Sequence, residues 1–139
     1  MANAAGFNET IPPAQQTFLD VSPDSTFWVY IERVAMHGAI NGYADGTYCP
    51  GNNMTRGQLS KIDSEVKGYN DVIPATQQTF TDVEPGSTFW LYIERVALHG
   101  IVSGYSDNTF RPNNDVTRGQ ASKIVTMTFS PECASLPAP

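Results

Sequence analysis

Two arginines stand where an anion could be held. Thr55-Arg56-Gly57-Gln58 and Thr117-Arg118-Gly119-Gln120 both read as the first turn of a helix. The threonine hydroxyl covers the amide three residues on, and the glutamine side chain reaches back to the threonine amide. Arg56 and Arg118 then fall at the first helical position, beside free backbone amides and the positive end of the helix dipole. Such a place suits a carboxylate or phosphate, and a guanidinium adds a two-point grip. Gly57 and Gly119 follow and allow a close approach. Thr55, Gln58, Thr117 and Gln120 join the arginines as candidate ligand contacts. The competing reading is structural: an arginine after a cap that pairs with a nearby acid.

Aromatic side chains offer a second kind of contact. Trp28 and Trp90 could stack on a sugar ring. Each follows a phenylalanine, Phe27 or Phe89, on an amphipathic stretch, and packing against the neighbouring repeat is the stronger reading. Tyr43 and Tyr105 each follow a glycine in a loop; a phenol there either hydrogen-bonds a sugar at a groove edge or pins the loop. Asp45 and Asp107, each two residues before a threonine, fit turn chemistry, because the alternating ligands and closing glutamate of a calcium loop are missing. His37 and His99 have no cysteine or second histidine nearby, so zinc is not expected. Asp20, Asp82, Glu32 and Glu94 recur once per copy of a repeat. That fits architecture better than the two unlike carboxylates a glycosidase needs. No nucleophile–base pair stands out, so no catalytic residue, metal or cofactor is expected.

The elements that position these residues come in two copies. The run from Gln15 to Ile62 returns from Gln77 to Ile124 at a constant offset of 62, with no insertion between anchors. A fixed period means one structural unit used repeatedly. Phe18, Val21 and a turn-rich stretch lead in. Ser25 or Thr26 caps a first helix running from Phe27 to His37, in which Phe27, Ile31, Val34 and Ala35 keep helical spacing. Gly38 is a good residue to end it, and His37 in its last turn suits the dipole when protonated. A patterned loop follows, with Asp45-Gly46 reading as a tight primed turn and Asn108 taking the place of Gly46 in the second copy. The capped second helix closes each unit. The division is therefore 15–66 and 77–128 for the repeats, 67–76 for the linker between them, and 129–139 for an extended proline-rich tail. Residues 6–12 match 68–74 at the same offset, and residues 1–14 read as a linker that follows a repeat absent from this chain.

Bulk properties narrow the class. The 139 residues carry a net charge of −6, which disfavours nucleic acid and anionic membranes as partners. No stretch is apolar and long enough to span a bilayer, and the N-terminus does not read as a signal peptide. Cys49 and Cys133 hold non-equivalent places, since Arg111 stands where Cys49 would recur. A bridge between them, two free thiols and an interchain link all remain open.

The Phe-x-Asp-Val lead-in, the tryptophan helix, the Gly-Tyr loop with its turn, the proline and the Thr-Arg-Gly-Gln start together resemble the S-layer homology (SLH) domain, twice over. Period, linker and tail are similar to long-linker SLH repeats of filamentous phototrophic bacteria. The resemblance implies a mainly α fold of tandem helix–loop–helix units, each about fifty residues long, with short extended pieces and hairpins in the loops. It implies attachment at the extracellular cell surface or envelope, without catalysis. The ligand would be an anionic envelope polysaccharide, often a pyruvylated secondary cell-wall polymer, held in grooves between repeats. Arg56 and Arg118 map onto the family's arginine motif, in which glutamate commonly stands where Gln58 and Gln120 do. Family members typically close a spindle from three repeats, and this chain has two. The alternative function is therefore a self-assembling surface protein, an S-layer or filament subunit built by head-to-tail repeat contacts.

Overall fold

The protein is described by a computed structural model covering residues 1–129. Its described residues form four helices: α1 (Trp28–Met36), α2 (Arg56–Lys67), α3 (Trp90–Leu98) and α4 (Arg118–Phe129). The fold is mainly α, and the described residues add only one isolated antiparallel bridge, Thr55 with Asp115. The proline-rich tail beyond Phe129, with Cys133, lies outside the described residues. The chain separates into two compact units, Met1–Asn52 and Asn53–Pro139. That division falls in the loop before α2, so compact unit and sequence repeat partition the chain differently.

In the first unit the lead-in is tied to α1 by one buried carboxylate. Glu32 is fully buried, and its oxygens accept from the Thr17 amide at 2.8 Å, the Thr17 hydroxyl at 2.6 Å and Gln15 Nε2 at 3.1 Å. A buried charge persists only when satisfied in this way. Trp28 donates its indole N–H to the Gln15 carbonyl at 2.9 Å, from the same face of the helix. Phe18, Val21, Ile31, Val34 and Ile40 fill the apolar interior. α1 begins one residue later than the spacing suggests. Its N-cap is Phe27, with no side-chain cap; the Ser25 hydroxyl accepts from the Phe27 amide outside the helix, at 3.3 Å. The expected Ser25 or Thr26 cap is thus corrected: the serine stabilises a bend ahead of the helix. The other end is as expected. Gly38 is left-handed, and the Ala39 amide returns to the Val34 carbonyl.

The loop turn also differs in type. A primed turn needs positive φ at the first central residue (II′) or at both (I′), yet of Asp45 and Gly46 only the second, Gly46, has it. The Gly46 amide donates to the Tyr43 carbonyl, and the Tyr43 amide to the Thr47 carbonyl. This is a three-residue loop ending in a left-handed glycine. Asp45 holds it by accepting from the amide and hydroxyl of Thr47. The Asp20 carboxylate then accepts the amides of Tyr48 and Cys49 and fixes the exit from the loop.

The second unit repeats each device at the same offset. Glu94 takes Thr79 and Gln77, Trp90 donates to the Gln77 carbonyl, and Asp82 takes the amides of Phe110 and Arg111. Asn108, at φ 61°, replaces Gly46 without changing the loop. Phe80, Val83, Trp90, Ile93 and Phe110 form its core. α2 belongs to this unit and packs on α3 and α4. Midway along α2, Asp63 and Ser64 are buried, and neither the Asp63 carboxylate nor the Ser64 hydroxyl has a hydrogen-bond partner among the described residues. Burial pushes the Asp63 carboxyl up to about 7.

Each unit also clasps the segment ahead of its tryptophan helix, α1 or α3. His37 stacks on Phe7 with ring centroids 3.6 Å apart and meets Glu9 at 2.6 Å, while Arg33 donates to the Glu9 carbonyl. His99, Tyr69, Asp71 and Arg95 do the same in the second unit. The histidines therefore work through ring stacking and an acidic partner.

Candidate functional site

The head of α2 is capped as its sequence demands. The Thr55 hydroxyl accepts from the Gln58 amide, and the Thr55 amide donates to Gln58 Oε1. Thr117 and Gln120 build the same box on α4. Beyond the cap the two heads differ.

At α2 the backbone amides are not free. The Arg56 amide donates to the Asn114 carbonyl at 2.9 Å, and the Gly57 amide to the Pro112 carbonyl at 2.8 Å. The loop after Phe110 thus occupies the place where an anion was expected to meet the helix. Gly57 is filled as well: a Cβ there would lie 2.5 Å from the Phe89 ring. The close approach that this glycine permits is used by a phenylalanine of the same unit.

The Arg56 side chain is 7% exposed, and its Nε donates to the Phe110 carbonyl at 2.7 Å. Its guanidinium carbon lies 4.4 Å from the Phe110 ring centre and 4.9 Å from that of Tyr105. The Nη nitrogens form no hydrogen bond among the described residues. Burial pulls the guanidinium below its ordinary pKa, and the nearby phenol Tyr105 opposes that. Arginine keeps its charge regardless.

Arg111 joins from the loop. Its guanidinium carbon lies 4.1 Å from the Tyr105 ring centre, and Nη2 meets Asp107 at 3.0 Å. The Asp107 carboxyl falls to about 2, held down first by the Thr109 hydroxyl and then by Arg111. Gln120 Nε2 lies 3.3 Å from the Tyr105 hydroxyl. One tyrosine therefore carries two guanidinium groups and the amide of a capping glutamine. Arg111 was legible only as the residue that replaces Cys49. Both sit in the left-handed region, at φ 60° and 58°, so the loop backbone is shared and only the side chain differs.

The other candidates lie elsewhere. Trp90 is 9% exposed within the core, and both indole N–H groups are spent on the lead-in carbonyls. Tyr43 is exposed in the first unit. Arg118 is exposed at the head of α4, and a Cβ added at Gly119 would meet nothing within 4 Å.

A tandem helix–loop–helix protein with a capped arginine at the head of each second helix is a repeat-built module. The S-layer homology domain model matches residues 17–60 and 79–122, and the chain belongs to that family. It is 26% identical over 125 residues to a cellulosome-anchoring protein of Acetivibrio thermocellus, covering 88% of this chain and 27% of that protein. A surface layer protein of Brevibacillus choshinensis is 24% identical over 114 residues, 81% of this chain and 10% of its own. A middle cell wall protein of Brevibacillus brevis is 26% identical over 97 residues, 68% of this chain and 9% of its own. The chain thus spans a small part of each of these relatives.

Proposed function

We propose that the chain is a non-catalytic module of the extracellular cell surface or envelope that attaches by holding an anionic envelope polysaccharide. Membership of the S-layer homology family and the anchoring, wall and surface-layer relatives support the surface role. The observation that carries the ligand class is the paired placement of Arg56 and Arg111 over Tyr105. Two guanidinium groups against one tyrosine ring bring charge-assisted donors to one place for an acid group, and the ring offers a sugar an apolar surface. Gln120 adds an amide beside the phenol. Thr55, Gln58 and Thr117 act by holding the helix heads, and Trp28 and Trp90 by holding the lead-in. The net charge of −6 makes this a local cationic site on an acidic protein, which favours selection of a positioned acid group over general attraction to polyanions.

Sedimentation with isolated cell envelopes tests the reading. The chain should pellet with them, and Arg111→Gln should weaken binding by about tenfold or more, with the loss of a charged hydrogen bond as its cause. Added salt should weaken the wild type more than the variant. Unchanged pelleting of Arg111→Gln would remove the site.

A further inference from the structure

The contact between the α2 head and the second unit's own loop consists of a definite set of groups, and both halves of that set occur once more, unused among the described residues. The donor half is Arg56 and Gly57; at the same offset stand Arg118 and Gly119. The acceptor half is the carbonyls of Phe110, Pro112 and Asn114; their counterparts are Tyr48, Pro50 and Asn52. Among the described residues the amides of Arg118 and Gly119 and those three carbonyls form no hydrogen bond.

The apolar part of the contact is duplicated too. Phe89 packs into Gly57, and Lys61 lies 5.9 Å from the ring centre of Tyr92. Tyr105 receives Arg56. Their counterparts in the first unit are Phe27, 61% exposed, Tyr30, 41% exposed, and Tyr43, 51% exposed. On α4, Gly119 is open and Lys123 is exposed. The large aromatic exposures on the first unit therefore fall at the positions that the second unit covers with a helix head.

We propose that the α4 head of one molecule docks on the Phe27–Asn52 face of a second copy of this chain, head to tail, repeating the contact that α2 makes inside the second unit. The occupant is fixed by complementarity: Gly119 is the socket for Phe27, the Arg118 side chain and amide and the Gly119 amide match the Tyr48, Asn52 and Pro50 carbonyls, and Lys123 reaches Tyr30. A surface that joins unlike faces is heterologous, so it closes into a ring or extends as a filament. Docking would also place Arg118 over Tyr43 as Arg56 lies over Tyr105. With Cys49 in place of Arg111, the site made between copies has one guanidinium where the internal one has two. The proposal does not depend on polysaccharide binding.

Light scattering after size exclusion, with the full chain at rising concentration and no glycan, tests it. Gly119→Val fills the socket but leaves the first-unit face intact; Phe27→Asp does the reverse. Both positions are open to solvent, and circular dichroism checks that each variant folds; Arg118→Glu serves as a second block of the α4 head. Wild type should assemble with concentration, each variant alone should stay monomeric, and an equal mixture of Gly119→Val and Phe27→Asp should give a species of twice the chain mass and nothing larger. A wild type that stays monomeric to millimolar concentration would overturn the proposal. So would assembly that survives both substitutions, or a mixture that stays monomeric.

Discussion

The heads of α2 and α4 carry the same capping residues, the same arginine and the same glycine, and meet opposite surroundings. At α2 a loop of the same unit takes the amides, a phenylalanine fills the glycine and the guanidinium is wedged between two rings. At α4 the arginine is exposed and the glycine open. An arginine that follows a cap has no fixed role. A loop far away in sequence decides whether it is a structural lock, a ligand contact or a free surface charge.

The sharpest way to break this comparison is truncation of both arginines. Arg56→Ala removes a buried hydrogen bond and two ring contacts and should cost about 3 kcal/mol of stability, while Arg118→Ala should stay within about 0.5 kcal/mol. Urea unfolding of the two variants reads both values, and equal losses would erase the distinction.

Asp63 gives the next largest effect, because Val125 takes its place in the second copy. Its folded carboxyl titrates near 7, above the ordinary 3.8. Below the lower value it is neutral in both states and costs nothing. As pH rises from 3.8 towards 7 the unfolded chain ionises first, so stability falls, and above 7 the penalty is complete. Asp63→Asn should therefore be more stable than wild type at pH 8, by on the order of 3 kcal/mol, with the gap closing by pH 4. A gap independent of pH would show that the carboxylate is solvated.

The glycines test the same contrast in packing. Gly57→Ala meets Phe89 and should cost about 2 kcal/mol, whereas Gly119→Ala in monomeric protein should be neutral or stabilise by up to about 1 kcal/mol through helix propensity. Thermal melts at low concentration separate the two signs. The smallest effect is expected from Cys49→Arg, which copies Arg111 onto a backbone already left-handed and opposite Asp45. An exposed pair of that kind adds under about 0.5 kcal/mol and should vanish in high salt.

What the sequence made legible was local. Both capping boxes, the glycine that ends α1 and the tolerance for Asn108 follow from neighbours within a few residues, and the constant offset exposed the repeat. The Ser25 or Thr26 cap failed because the helix starts later, at Trp28 behind an uncapped Phe27, and the lead-in bend has its own use for the serine. The α2 amides were read as free because Pro112 and Asn114 lie far along the chain, and a helix pattern carries no mark of what covers its end. Arg111 escaped for a related reason: it breaks the repeat, and its partners Tyr105 and Asp107 come from the fold of the loop rather than from the shared pattern. The clasp on His37 left a signal that could have been read, since an aromatic and an acid recur together at Phe7 and Glu9 and at Tyr69 and Asp71.

The proposed function places one acid-bearing sugar against one cationic, aromatic site in the second unit. Calorimetric titration of the chain with an acidic oligosaccharide from the cell envelope, at a concentration where the protein is monomeric, tests it most directly. One site per chain is expected, weakened by salt and weakened about tenfold or more in Arg111→Gln. Binding of equal strength in that variant, or binding indifferent to salt, would contradict it.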